Sequence, residues 1–168
     1  MTNKDLAELL YPNVTEDIEF LEKKYPERNL PEGAEVCRFA PSPTGRMHMG
    51  NLFASFIPEV IANQSNGVFI LRIEDTDGKR AIENGVELIL EDLEHYNYNV
   101  HEHPLKGGEY GPYIQTERKD IYHIVAKYLV SIGRAYPCFC SEDDLSEMRN
   151  IKKSKKDRIG YYGKYAKC

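Results

Sequence analysis

No stretch of this chain is apolar for long enough to cross a bilayer, and its first residues lack the cationic-then-apolar layout of a secretory leader. A cytoplasmic protein with no membrane partner is therefore expected. Cysteine is sparse, at Cys37, Cys138, Cys140 and Cys168 only. So small a set, with one Cys-x-Cys pair, argues against a secreted disulfide framework and suits metal chemistry. Positive charge is also short. The formal net charge of −5 is a handicap for gripping nucleic acid through its phosphates, and no DNA partner is expected. The one compact basic run, Lys152-Lys153-Ser154-Lys155-Lys156, reads as a solvated helix end or as an RNA contact. Neither Gly-x-x-x-x-Gly-Lys-Ser/Thr nor Gly-x-Gly-x-x-Gly occurs, which removes the common kinase and dehydrogenase routes. What remains is 168 residues of globular composition, 41% hydrophobic and 29% charged. That is enough for one domain and part of another.

Periodicity supplies the elements. Leu6, Leu9 and Leu10 form a short apolar helical stripe, and Thr15 is placed to cap a second helix carrying Ile18 and Leu21. Tyr25-Pro26 stops that helix, and Leu30-Pro31-Glu32-Gly33 is a linker. Val36–Ala40 predicts a strand, and Asn51–Asn66 a helix with Phe53, Phe56, Ile57, Val60 and Ile61 on its apolar face. Pro58 predicts a kink there, and Gly67 the end. Val68–Ile73 is a second strand, so strand, helix and strand make a parallel pair with a right-handed crossover. Val86, Ile89, Leu90 and Leu93 predict a further helix. So do Ile121, Ile124, Val125, Tyr128, Leu129 and Ile132, closed by Gly133. His101–Tyr113 is a Gly/Pro-rich loop between them. Ser141-x-x-Asp144 opens a last helix with Leu145 and Met148 inward. The fold class is α/β, of the nucleotide-binding kind, with ligands expected at the carboxyl ends of the strands.

Polar groups gather at those ends. Arg38, Ala40 and Ser42 close the first strand and Glu74 the second. An arginine fork suits a carboxylate, and Glu74 suits an ammonium group, so together they can hold a small zwitterion. Taken alone, Arg38 reads rather as one half of a structural ion pair with Glu74 or Asp75. Pro41, Pro43 and Gly45 make the following turn, and His48-Met49-Gly50 sits where a helix should begin. A helix N-terminus with a histidine beside it offers donors to phosphate, and Gly50 leaves room for a flat ring against the backbone.

Four segments together resemble one family. Arg38-Phe39-Ala40-Pro41-Ser42-Pro43-Thr44-Gly45, followed by His48-x-Gly50, is similar to the first signature of class I glutamyl-tRNA synthetases. Arg72-Ile73-Glu74-Asp75-Thr76-Asp77, Gly111-Pro112-Tyr113-Ile114-Gln115-Thr116-Glu117-Arg118 and Ala135-Tyr136-Pro137-Cys138-Phe139-Cys140 follow in family order. The resemblance covers about Arg38 to Cys168. It implies the first half of a Rossmann-like parallel-sheet catalytic domain over residues 35–136. A helical extension would precede it over 1–34, and the start of an inserted acceptor-stem-binding, zinc-hairpin-like subdomain would follow over 137–168. It implies activation of L-glutamate with ATP and Mg2+ to glutamyl-adenylate, then transfer to the 3′ end of tRNA(Glu), by a monomer.

The resemblance also assigns residues. Arg38 would meet the glutamate side chain, with Ala40, Ser42 and Glu74 around the amino-acid head. Thr44, His48, Gly50 and Asn51 would meet ATP, with Thr44, His48 and Gly50 at the catalytic centre. Asn51 stands where most class I synthetases carry a second histidine. Asp77 would lie near the terminal adenosine of tRNA, or would cap a helix before Gly78. Tyr113, Gln115 and Arg118 belong to a motif read here as packing against the sheet. Cys138, Cys140, Tyr161 and Cys168 would bind Zn2+, as some members do, although the usual tyrosine position four before the last cysteine is Lys164 here. The alternative is three free thiols near a hairpin. Cys37 reads as a small buried residue.

The family's Lys-Met-Ser-Lys-Ser-like motif and its anticodon-binding region do not occur in these residues. The chain is therefore expected to be an N-terminal portion, inactive alone. A paralogue that glutamylates a modified anticodon base shares these motifs, but the long extension argues against it. Glutaminyl-tRNA synthetase normally differs from Arg-Phe-Ala-Pro-Ser-Pro. A non-catalytic zinc-bearing RNA-binding module and a generic mononucleotide enzyme are the readings from other classes.

Overall fold

The computed structural model describes residues 1–162. The chain forms two compact units, one over Val14–Val125 and the other joining Met1–Asn13 to the segment from Ala126 onward. These units do not coincide with the expected divisions after residues 34 and 136, because α1 (Asn3–Leu10) groups with the later segment. Lys127 reaches Glu8 at 2.9 Å, and Gly133, at φ +73°, leaves room for the Asn3 amide, which a Cβ would meet at 2.6 Å. No described helix is long and apolar enough to cross a membrane.

The Val14–Val125 unit holds the sheet. β1 (Val36–Phe39) and β2 (Val68–Leu71) pair in parallel, with Val36 opposite Val68 and Phe39 opposite Leu71. α3 (Met49–Gln64) makes the crossover and runs through Pro58 as one helix. Phe39, Ala62, Phe69, Leu71, Ile73, Ile89 and Leu93 form the core. Ile89 and Leu93 come from α4 (Gly85–His95). Burial of such side chains, about 1.5–3 kcal/mol each, is what holds sheet and helices together.

α3 does not bury the expected face. Phe53, Phe56, Ile57 and Ile61 are exposed and Val60 is half-buried, while Leu52, Ser55 and Ala62 turn inward. The small residues let the helix approach closely, and the Ser55 hydroxyl is satisfied by donating to the Leu52 carbonyl at 2.9 Å. Similar corrections apply elsewhere. In α1, Ala7 is the buried residue and Leu9 and Leu10 are exposed. α2 (Ile18–Lys24) is capped by Asp17, which accepts from the Phe20 amide, and not by Thr15. α5 (Lys119–Ser131) carries the chain from one unit into the other, and buries Ile124 and Val130 while Tyr128, Leu129 and, just past its end, Ile132 are exposed.

α6 (Glu142–Ser154) begins with the expected Ser141/Asp144 capping box and buries Met148. It also buries Lys152, which is 1% exposed. The Lys152 Nζ donates to the carbonyls of Gly160 and Tyr162 at 2.6 and 3.2 Å and lies 3.2 Å from the Tyr162 ring centre. The basic run is therefore split, with Lys153, Lys155 and Lys156 outside.

The junction from α3 to β2 shows two separate backbone demands. Asn66 takes the left-handed conformation at φ 56°, and Gly67 follows, its amide bonded to the Ala62 carbonyl at 2.7 Å. A Cβ on Gly67 would lie 1.9 Å from the Glu35 carbonyl oxygen. Gly67→Ala must force the start of β1 away from β2. It is expected to cost about 2–3 kcal/mol in urea unfolding, and a stability equal to wild type would refute the close approach.

Candidate active site

Pro41 and Pro43 have no amide hydrogen, so at these two positions the turn after β1 asks only for donors to its carbonyls. The segment after β2 supplies them. Arg72 N–H donates to Phe39 at 3.0 Å, Glu74 N–H to Pro41 at 2.9 Å and Ile82 N–H to Pro43 at 3.0 Å. The parallel ladder thus continues beyond both strands and holds the two strand ends side by side. Gly85 completes the support, because a Cβ there would meet the Pro43 carbonyl at 2.7 Å.

On this frame Arg38 and Glu74 converge. The Arg38 guanidinium donates to Glu74 Oε1 at 3.1 Å, and Arg72 approaches the same oxygen at 3.5 Å. Two guanidinium groups thus share one carboxylate, leaving a local excess of one positive charge. Arg72 was missed, although alternation along an extended segment puts positions 72 and 74 on one side. The Arg38–Glu74 pair is exposed, at 42% and 36% of its side chains. Such a pair contributes only about 0–1 kcal/mol, so an incoming ligand can displace it at little cost. Ala40 and Ser42 lie on the connecting turn, Ala40 half-buried and Ser42 exposed.

Thr44, His48, Gly50 and Asn51 follow from the same turn into α3. His48 is the N-cap of α3, its Nδ1 accepting the amides of Gly50 at 3.0 Å and Asn51 at 3.3 Å. The expectation of free amides at this helix start is corrected, because the imidazole takes two of them. The ring that Gly50 admits is His48's own, whose Nδ1 and Cε1 would stand 3.0 Å from a Cβ at position 50. With Nδ1 an acceptor, the neutral ring carries its proton on Nε2, on the side away from the helix. His48 is exposed, so that donor is accessible.

Asp92 of α4 holds the approach to His48. Its carboxylate accepts from the Met47 amide at 2.8 Å and from Arg46 at 2.6 Å. Burial alone would raise its pKa, but the Met47 amide and the Arg46 guanidinium outweigh this and keep it below the usual carboxylate range. Nothing in the sequence pattern marked Asp92, since its partners are 45 and 46 residues away.

Asp77 opens a turn and not one of the described helices, its carboxylate taking backbone hydrogen bonds from Arg80 and Lys79. It pairs with Arg80 at 2.6 Å, and its hydrogen bonds to Arg80 lower its pKa. The neighbouring Asp75 carboxylate accepts the Thr116 amide and hydroxyl. In the other unit, Cys138 and Cys140 both meet the Tyr161 hydroxyl, at 3.6 and 3.3 Å. Three of the four expected zinc ligands are thus together, while Cys168 lies outside the described residues. Among the described residues no group of three or more His, Cys, Asp or Glu is arranged around a metal position. Cys37 is half-buried and packs on the core, and burial raises its thiol pKa.

Residues 35–167 match the family described as tRNA synthetases class I (E and Q), catalytic domain. The glutamate–tRNA ligase of Acetivibrio thermocellus is 51% identical over 99% of this chain, which covers 31% of that protein. The glutamate–tRNA ligase of Clostridium beijerinckii is 44% identical with the same two coverages, 99% and 31%. Among solved structures, a glutamate tRNA ligase from Elizabethkingia meningosepticum, in complex with its amino acid, aligns with a TM-score of 0.66 at 38% identity. That alignment covers 77% of this chain and 26% of the other. The chain therefore spans 31% of the length of the curated relatives it matches.

The two uses of the His48 ring can be separated. Asparagine is itself a strong N-cap, so His48→Asn should leave stability near wild type, whereas His48→Ala should cost about 1 kcal/mol. Equal losses in both variants on chemical denaturation would contradict the capping role.

Proposed function

The chain belongs to the class I tRNA synthetases for glutamate and glutamine, and from this we propose that it is part of the catalytic portion of a glutamate–tRNA ligase. The observation that carries the reading is the Arg38–Glu74 pair beside Arg72, at two strand ends that run into the His48-capped helix. Glutamate displaces the pair. Its side-chain carboxylate takes the Arg38 fork, and its ammonium group takes Glu74, with Ser42 and the Ala40 backbone adding neutral hydrogen bonds. The local excess of positive charge favours an acid over an amide, hence glutamate over glutamine.

ATP would then lie along Thr44, His48, Gly50 and Asn51, and the Mg2+ accompanying it would supply charge screening for the phosphates. The glutamate α-carboxylate attacks the α-phosphorus. One P–O bond forms, the bond to the β-phosphate oxygen breaks, and pyrophosphate leaves. A carboxylate is already a nucleophile, so no general base is required. The Nε2–H of His48 stabilises charge on the phosphoryl oxygens by position and electrostatics. The terminal ribose hydroxyl of tRNA(Glu) next attacks the acyl carbon, the acyl–phosphate C–O bond breaks, and AMP departs with the hydroxyl proton on its phosphate, with Asp77 near the terminal adenosine as a hydrogen-bond acceptor. A functional division at residues 1–34, 35–136 and 137–168, a cytoplasmic location and a monomeric enzyme accompany this reading.

A zinc site fits the donors gathered around Tyr161. Two thiols and a phenol converge, and Cys168 would complete a four-donor set with Cys138, Cys140 and Tyr161. Its role would be structural, joining the segment after α5 to the segment after α6.

In the full-length protein, Arg38→Ala should abolish glutamate-dependent ATP–pyrophosphate exchange. Exchange near the wild-type level would remove Arg38 from carboxylate recognition. For the metal, purified protein should carry about one equivalent of zinc by elemental analysis, lost in Cys138→Ser together with some thermal stability. Metal-free wild-type protein that melts at the same temperature with or without chelator would exclude the site.

A further inference from the structure

We propose that Arg28, on the helical extension, is a positioning residue for the amino-acid pocket. Its fork on Glu102 fixes the segment that brackets Ile73, and so sets Glu74 beside Arg38. The inference rests on the glutamate-pocket reading above and extends it to a residue ten positions before the first signature.

Arg28 donates to both oxygens of Glu102, at 2.6 and 2.7 Å. The two side chains are 16% and 14% exposed, so this bidentate bond is well shielded from water. The guanidinium also lies over the Tyr110 ring at 3.7 Å. Two phenols tie the same segments together in opposite directions. The Tyr110 hydroxyl donates to the Pro26 carbonyl and the Tyr25 hydroxyl to the Gly111 carbonyl, both at 2.8 Å. The extension is therefore clasped to the Gly/Pro-rich loop and does not merely lie against it.

Glu102 passes the constraint on. Its Oε2 accepts the Tyr113 hydroxyl at 2.6 Å, and its carbonyl accepts the Leu71 amide at 2.9 Å. Gly108, at φ +151°, keeps the space open, because a Cβ there would lie 2.4 Å from the Tyr113 oxygen. Tyr113 in turn takes the Ile73 amide on its carbonyl, and the Ile73 carbonyl takes the Gln115 amide, both at 2.9 Å. Both backbone polar groups of Ile73 are thus held by the 113–115 segment. The next residue is Glu74, whose own amide is held by Pro41. The glutamate that pairs with Arg38 is fixed on one side by the turn after β1 and on the other by the Arg28 chain of contacts.

The network also keeps its charges. Hydrogen bonds from Arg28 hold Glu102 below the usual carboxylate range, and burial, then Glu102, pushes Tyr113 up to about 12. Removing Arg28 would leave a mostly buried carboxylate with one neutral partner. It would turn outward and release Tyr113. His48 hangs on a different set of contacts, through Met47 and Asp92. The amino-acid side and the nucleotide side should therefore respond differently.

The test uses the full-length protein, with Arg28→Gln, Arg28→Lys and Tyr113→Phe beside wild type. Arg28→Gln should raise KM for glutamate in pyrophosphate exchange roughly ten- to a hundredfold. KM for ATP should stay within about twofold. Arg28→Lys, which keeps charge without the fork, should recover part of the loss. Tyr113→Phe, which removes only a hydroxyl, should move KM for glutamate in the same direction by less. Hydrogen exchange of the Ile73 and Gln115 amides should quicken in Arg28→Gln. Unchanged amide exchange, or equal rises in both KM values, would overturn the proposal. A wild-type protein without glutamate-dependent exchange would sink the proposed function instead, and the amide measurement would still decide the clamp.

Discussion

The amide of Glu74 donates to the carbonyl of Pro41, and much of the site depends on that one bond being available. Two four-residue strands are a slender frame on which to place functional groups. The ladder becomes useful because it does not stop where the strands do. Proline at 41 and 43 removes two donors that would otherwise need partners inside a tight turn, and the carbonyls left behind are met from the β2 side. The chain direction out of β1 is thereby coupled to the chain direction out of β2. Arg38 and Glu74 meet because their backbones are linked before their side chains are.

Charge follows from that geometry. An isolated arginine–glutamate pair in solvent is nearly neutral in energy and in net charge. Arg72 changes the balance, since it brings a second guanidinium to the same carboxylate oxygen. An acidic ligand entering such a place gains an arginine partner while Glu74 retains another cation nearby. The exposed resting pair is thus compatible with binding. It keeps both groups oriented toward each other and costs little to open.

The sequence made the element order legible, and also the parallel pair, the capping box at Ser141 and the meeting of Arg38 with Glu74 at adjacent strand ends. It was less informative about which side of a helix faces inward. In α3 the stripe of Phe53, Phe56, Ile57 and Ile61 is larger and more apolar than that of Leu52, Ser55 and Ala62, and periodicity weights size. The close approach of helix and sheet favours Leu52, Ser55 and Ala62. Long-range partners were invisible for a different reason. Asp92 meets Met47 and Arg28 meets Glu102 across 45 and 74 residues, and no local spacing encodes such meetings. Lys152 is a third kind of miss. A lysine in a basic run looks solvated, yet a ring and two carbonyls replace its water.

The His-x-Gly motif illustrates how one pattern can answer to backbone and chemistry together. The imidazole folds back on the helix start and takes two amides, and glycine at position 50 spares it the tight 3.0 Å contact that a Cβ would make. That capped pose in turn fixes the tautomer, because a nitrogen that accepts cannot also carry the proton. The exposed Nε2–H is then a donor of fixed direction, held without the entropy of a free side chain. A helix cap and a phosphate donor are often treated as competing explanations for a residue at this position. Here the two are compatible: the bonds that cap the helix also leave the Nε2–H turned outward.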